Sequence, residues 1–172
     1  MATNYRSPFR DQFANIFEAI LVGDCTDVRL LLEDGLDVNC RDYNQITPLM
    51  LASWCGHTNM VFTFLEYGAL VDATSSNAMT ALMWAVCKQN IDVVDLLLAK
   101  KANVNLQDVW GTTALMLASQ IHSVEIINML IKKGADPNLV NKRGKCAMQI
   151  AIIAGKKMAK RLEKAQMQAG SK

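Results

Sequence analysis

A six-residue pattern returns along the chain every 33 residues, and this interval constrains the fold more than any other feature. The pattern reads TPLMLA from Thr47, TALMWA from Thr80, TALMLA from Thr113 and CAMQIA from Cys146. Its final alanine also occurs one period earlier, at Ala19. A second pattern, DGLDVN, YGALVD, KKANVN and KGADPN, keeps the same interval. A repeat of this length over five units predicts that each unit is one supersecondary element stacked on the next.

Each unit is predicted to contain two helices. Thr47 is a residue type that begins helices well, and Pro48 suits the first helical turn. The first helix is expected to end near Gly56. The second, as in NIDVVDLLLAK, has apolar residues at helical spacing and precedes a turn-rich link. One such pair leaves apolar faces uncovered, so the units are expected to stack into a solenoid with a continuous core.

These motifs resemble the ankyrin repeat, over roughly residues 9–165. The resemblance implies an all-α solenoid of helix–turn–helix pairs with projecting hairpin loops. The predicted organisation is an N-terminal tail at 1–8, a capping unit at 9–41, units at 42–74, 75–107 and 108–140, a C-terminal capping unit at 141–165, and a tail at 166–172.

Two departures from the ankyrin pattern are informative. The histidine that often follows Thr-Pro-Leu is replaced, in order, by Met50, Met83, Met116 and Gln149. In the family that histidine ties neighbouring loops together, so its loss shifts stability towards packing. Glycine is also missing at three turn positions, Gln45, Ala78 and Lys101. We expect the helix end at Lys101 to be strained or frayed.

The composition excludes several classes of protein. Apolar residues make up 51% of the chain and charged residues 20%, which is typical of a globular protein and not of a disordered one. No apolar run reaches the roughly 18 residues that span a bilayer. The N-terminus lacks the apolar segment of a secretory signal. The expected location is the cytoplasm, with the nucleus as the alternative.

The reactive residues give no sign of catalysis or of a metal site. The five cysteines are odd in number, none lies in a Cys-x-x-Cys pair, and only two histidines are present. We therefore predict reduced thiols, no metal and no cofactor. No phosphate-binding loop, His-Glu-x-x-His or Gly-x-Ser-x-Gly motif occurs. A dyad of Cys55 and His57 lacks a group to orient the base, so we predict no catalytic residue and no enzyme.

The resemblance implies that partner contacts lie on the hairpin tips and on the inner face of each first helix. The predicted partner-binding residues at these positions are Tyr43, Asn44, Ile46, Trp54, Met79, Lys88, Val109, Trp110, Ile121, Lys142, Arg143 and Lys145. Burying an exposed aromatic ring under a partner recovers about 1.5–3 kcal/mol. We expect Trp110 and Tyr43 to lie beyond the core and Met79 to be on the surface. Trp84 is expected in the core, and Trp54 either contacts the partner or packs against the next unit.

Charge is unevenly distributed along the chain. Residues 141–172 hold nine Lys/Arg and one Glu, whereas the rest carries nine Lys/Arg against fifteen Asp/Glu. We predict a groove with an apolar middle and a basic flank, which binds a protein or peptide with apolar anchors and an acidic end. Alternatively, the cations only keep the last unit soluble. No obligate oligomer is predicted.

The basic run from Gly155 to Lys172 is predicted to be a final capping helix. The alternative is a patch for an acidic partner, RNA or anionic lipid. Nucleic acid is disfavoured because no aromatic residues interleave with these charges.

The predicted function is a non-catalytic protein-interaction module or scaffold. The alternatives are a stoichiometric inhibitor or regulator of a kinase or transcription factor, and the front portion of a larger scaffold. Asn39 is a candidate for the asparagine hydroxylation known in ankyrin repeats, because Leu31 lies eight residues before it, as that motif requires. The alternative is that Asn39 satisfies turn backbone.

Overall fold

The computed structural model describes residues 16–154 and the side chains of residues 16–152. Within this range the chain forms helices and no strand longer than an isolated bridge. The helices are α1 (16–22), α2 (Cys25–Glu33), α3 (Pro48–Cys55), α4 (Thr58–Glu66), α5 (Ala81–Lys88), α6 (Ile91–Ala99), α7 (Ala114–Gln120), α8 (Val124–Lys132) and α9 (Ala147–Ala154). The predicted tails (1–8 and 166–172) and the predicted basic helix (155–172) lie outside the described residues.

Side-chain caps set where the first helix of each unit begins. Thr47 Oγ1 accepts a hydrogen bond from the backbone N–H of Met50 at 3.3 Å, and Thr80 and Thr113 cap α5 and α7 in the same way. Cys146 has no hydroxyl, and its own N–H donates at 3.0 Å to a glutamine side chain in the first turn of α9. All four bonds satisfy amides at a helix start, and the three threonine caps are those that the sequence pattern predicts.

The helices stack in two rows. In the row that we call inner, α3, α5, α7 and α9 pack against one another in succession, while α2, α4, α6 and α8 form the outer row. The repeated alanine explains the close inner packing, because Ala52, Ala85, Ala118 and Ala151 are all fully buried at 0% exposure. A side chain of one methyl group keeps neighbouring helices near each other without leaving a void.

The methionines that replace the expected histidine belong to the core. Met50, Met83 and Met116 are each exposed by no more than 1%. Burying a side chain of this size contributes about 1.5–3 kcal/mol relative to leaving it in water. At these positions the chain thus has buried apolar packing in place of the expected histidine.

Left-handed backbone recurs at the turns, and five of these turn positions in the described chain carry a side chain. They are Gln45, Ala78, Gln89, Lys101 and His122, with φ between 57° and 65°. Left-handed conformation costs a residue with a Cβ about 1–2 kcal/mol. Lys101 has a φ of 65°, so the predicted strain is present. The helix before it is not shortened, because α6 ends two residues before Lys101 just as α4 ends two residues before Gly68.

Candidate protein-binding surface

The hairpins between units are fixed by their own side chains. The Asp108 carboxylate accepts hydrogen bonds from the backbone N–H groups of Trp110 at 2.9 Å and Thr112 at 2.7 Å. Asp42 and Asn141 hold two other hairpins in the same way. Because the side chain satisfies the turn amides, each tip has a defined backbone conformation.

Successive hairpin tips are also hydrogen-bonded to one another. The N–H of Ser76 donates to the Asn44 carbonyl at 2.9 Å, and that of Lys142 donates to the Trp110 carbonyl at 2.8 Å. An equivalent bond joins the two tips between them. The tips therefore form one continuous row, in which each tip is joined to the next by a backbone hydrogen bond.

Aromatic rings project from two of these tips. Tyr43 is 93% exposed and Trp110 is 58% exposed. Their neighbours Asn44 and Val109 are exposed as well. Large rings in water gain nothing from folding, so these side chains are available for contact with another molecule.

Two tryptophans meet on the inner row. The rings of Trp54 on α3 and Trp84 on α5 lie edge to face, with centroids 5.1 Å apart and planes at 70°. The Lys88 ammonium lies 3.9 Å from the Trp54 ring centroid. Trp54 is 36% exposed, and Trp84 is partly buried against the core. These three residues, which we call the Trp54 cluster, present an aromatic surface topped by a cation.

An open cavity of about 300 Å³ lies where the last two tips meet the inner row. Its walls include Trp110, Thr112, Gln120, Lys142, Arg143 and Ile150. We call this cavity the tip pocket. Within the described chain the one ion pair joins Lys100 to Glu66, so Lys142 and Arg143 have no acidic partner there. Lys145, beside the pocket, is likewise exposed and unpaired within that range.

Burial keeps the cysteine thiols near this surface protonated. It raises the pKa of Cys55 and of Cys87, and the Lys88 ammonium opposes the rise in both. Burial also raises the pKa of Cys40 to about 11. A protonated thiol is a poor nucleophile. The environment of Cys55 thus gives no activation for a dyad with His57.

The helix pairs, capped starts, buried alanines and linked hairpins define the fold, and a comparison with known families identifies it. A family model described as ankyrin repeats (3 copies) matches residues 16–108 and 100–170. The chain belongs to the ankyrin repeat family. Its predicted all-α solenoid fold is confirmed. Ankyrin repeats are generally protein–protein interaction modules and are typically non-catalytic.

The chain shows no match to a curated protein, and its described part shows no sign of a membrane span or a metal site. Between residues 16 and 154, no helix has the length and apolar character needed to cross a membrane. In the same range, no three His, Cys, Asp or Glu side chains are grouped so that they could hold a metal ion.

Three predicted contact residues of the ankyrin surface are less exposed than the sequence suggests. Met79, which was expected on the surface, is partly buried and packs against the core, as do Ile46 and Ile121. Ile46 and Met79 directly precede the capping threonines of α3 and α5. An apolar residue at that position tends to fold back onto the first turn of the helix, which accounts for their burial. Met79 is thus only partly exposed, less than the sequence suggests.

The sequence predicts only part of the environment of Trp84. It packs against the core as expected, but it is also partly exposed beside Trp54. The signal lies in its position within the unit, since the equivalent residues Leu51, Leu117 and Ile150 are all half-buried. The other units have aliphatic residues at this repeat position. An aromatic ring there therefore reaches from the core to the surface. Ile150 borders the tip pocket in the same manner.

The Asn39 side chain links two units. Its Nδ2 donates to the Gly68 carbonyl at 3.3 Å, and its Oδ1 accepts from the Leu70 N–H at 2.8 Å. Asn105, two periods later, makes the same pair of bonds to its following unit. Asparagine at this position thus satisfies the turn backbone of its neighbour, which is the alternative to hydroxylation that the sequence leaves open.

Proposed function

We propose that this ankyrin chain is a non-catalytic binding module that holds an extended segment of a partner protein along the hairpin tips and the inner row. The exposure of Tyr43, Trp54 and Trp110 carries the proposal, because all three rings lie on these elements. Large apolar groups that a folded chain leaves exposed close together often mark an interaction site. Trp and Tyr are also the residues that most often dominate interface energies.

The proposed segment has apolar anchors and an acidic end. The Trp54 cluster and the Trp110 ring offer places for apolar side chains, since both are partly exposed in water. Lys142 and Arg143 lie beside Trp110, and they and Lys145 lack acidic partners in the described chain. Charges at the rim of an interface act mainly on association rate and specificity, so an acidic end would set the direction of the segment.

Peptide display against the purified chain tests the proposal. Binding of the selected peptides is then measured for wild type and for the Trp110→Ala and Tyr43→Ala variants. Removal of a central aromatic contact typically costs 2 kcal/mol or more, so we expect affinities to fall by about thirtyfold. The matched control is Tyr67→Ala, which removes a ring of 42% exposure at the end of α4 in the outer row.

The control separates loss of contact from loss of folding. All three variants are expected to keep the thermal midpoint of the wild type, and Tyr67→Ala is expected to keep its affinity as well. Unchanged binding by the Trp110→Ala variant, or equal loss in the Tyr67→Ala variant, contradicts a binding surface at the tips.

Proteins are then captured from a cell lysate on the immobilised wild-type chain and on the Trp110→Ala variant. Mass spectrometry identifies those that only the wild type retains, and their activity defines the role of the chain. A kinase or transcription factor whose activity falls when equimolar chain is added makes the protein a stoichiometric regulator. A partner whose activity is unchanged makes it a scaffold.

A further inference from the structure

We propose that the tip pocket binds a phosphotyrosine side chain in the partner segment. This inference rests on the proposed function, because it names the residue that the segment places beside Trp110. It concerns the chemistry of one pocket and is tested separately from binding along the whole surface.

The tip pocket has two chemically different halves. The Trp110 ring and Ile150 provide an apolar wall, whereas Lys142 and Arg143 provide two positive charges. Neutral hydrogen-bonding groups of Thr112 and Gln120 lie in the same lining, to which the described residues contribute no carboxylate. A neutral ring uses only the first half, and a simple anion uses only the second. A ring that carries an anion uses both.

The size of the pocket indicates that one residue supplies both the ring and the charge. A cavity of about 300 Å³ is at the small end of binding pockets. In an extended segment, successive side chains point to opposite sides, so an aromatic residue and an adjacent acidic residue do not enter the same pocket together. Two residue types meet the requirement: phosphotyrosine, and a C-terminal aromatic residue with its free carboxylate.

Charge favours phosphotyrosine over a chain terminus. A phosphate monoester carries about −1.5 to −2 at neutral pH, which matches two cations, whereas a terminal carboxylate carries a single charge. Arginine and phosphate also form paired hydrogen bonds of fixed geometry. The bond from the Lys142 N–H to the Trp110 carbonyl, at 2.8 Å, holds the cationic tip next to the aromatic one. The halves of the pocket are therefore in place before any ligand arrives.

Nuclear magnetic resonance of the ¹⁵N-labelled chain tests the assignment. The chain has three tryptophans and hence three indole N–H signals, and the Trp110→Phe variant identifies the signal of Trp110. The probe is a pentapeptide with a central phosphotyrosine, two glycines on each side and blocked ends. We expect a saturable shift of the Trp110 signal that exceeds the shifts of the Trp54 and Trp84 signals.

Two double variants of equal charge change locate the phosphate. Because charge-assisted hydrogen bonds are the strong ones, Lys142→Gln with Arg143→Gln is expected to weaken binding by at least about tenfold. The control, Lys132→Gln with Lys133→Gln, removes two exposed cations at the end of α8 and is expected to change binding by less than about twofold. Equal weakening by both pairs means that only net charge matters, and it overturns the proposal.

Four further peptides test the chemistry of the central residue. Tyrosine, phosphoserine or glutamate replaces phosphotyrosine in three of them, and the fourth ends in phenylalanine with a free carboxylate. Each is expected to bind at least about tenfold more weakly than the phosphotyrosine peptide, because each lacks the ring, the anion or the second charge. Equal binding by any of them overturns the proposal, as does a phosphotyrosine titration that leaves the Trp110 signal unmoved. The proposed function survives those outcomes if Trp110→Ala still weakens binding of the displayed peptides by about thirtyfold.

Discussion

The aromatic residues on the hairpin tips and those on the inner row belong to the same surface but are held in different ways. Tyr43 and Trp110 stand on turns whose backbone is fixed by Asx side chains and by bonds between tips. Trp54 and Trp84 lie on helices, touch each other and, in the case of Trp84, pack against the core. The tip rings are thus free to contact a partner without a role in the fold. The helix rings both stabilise the fold and contribute to the exposed surface.

Replacement of Trp84 by alanine is expected to have the largest effect. The variant loses a half-buried ring and leaves a void between the inner helices, which costs about 3 kcal/mol in free energy of unfolding. Urea denaturation measures this loss, and Trp84→Phe is the control because it keeps a ring there while removing an indole N–H that is buried without a partner among the described residues. A loss below about 1 kcal/mol for Trp84→Ala would show that the inner-row rings contribute as little to the free energy of unfolding as the tip rings.

The next effect concerns the backbone of the tips, not their side chains. Gly111 and Ala78 occupy the same position in neighbouring hairpins, with φ of 75° and 57°. A Cβ on Gly111 would lie 3.1 Å from Asn141 Cα and from the Lys142 N, so Gly111→Ala is expected to destabilise by about 2 kcal/mol. Ala78→Gly is expected to stabilise by about 1 kcal/mol, because it removes the left-handed strain. Denaturant midpoints of the two variants should move in opposite directions, and shifts of the same sign would contradict this account.

Replacement of Trp54 by alanine should have an intermediate effect. It removes the edge-to-face contact with Trp84 and the cation contact with Lys88, together worth about 1.5 kcal/mol. A double-mutant cycle with Lys88→Met separates the two contributions. We expect a coupling energy of about 0.5 kcal/mol between Trp54 and Lys88, since the lysine is solvent-exposed. A coupling of zero would mean that the ammonium only rests above the ring.

The smallest effect on stability is expected at the tips. Tyr43→Ala should change the free energy of unfolding by less than about 0.5 kcal/mol, because the ring is 93% exposed. Calorimetry of the variant beside the Trp84→Ala variant measures the contrast directly. A fall of several degrees in the thermal midpoint of Tyr43→Ala would instead show that this ring stabilises the hairpin.

Local chemistry explains how much of this fold can be predicted from the sequence. The capping threonines act within one helical turn, and the period of the alanine column directly reflects the stacking of units. The left-handed strain at Lys101 follows from the absence of glycine at a position where the other units have it. Each of these features depends on residues close in sequence or on exact repetition.

The candidate surface is less predictable because it depends on contacts between units. The position before a capping threonine follows the hairpin directly, and only the folded chain shows that Met79 turns back towards the core. The pairing of Trp54 with Trp84 joins neighbouring units, and its geometry depends on how the two helices pack. The tip pocket likewise joins Trp110 in one hairpin to Arg143 in the next. Exposure of Tyr43 and Trp110, in contrast, follows from their place at turns.

The buried alanines also determine something far from where they lie. Each is the spacer between adjacent inner helices, and every hairpin tip is carried by the helix that follows it. A bulkier residue at Ala85 or Ala118 would push two layers apart and change the distance from one tip ring to the next. The spacing of the tip rings that a partner must match is thus set by buried methyl groups that do not contact the partner.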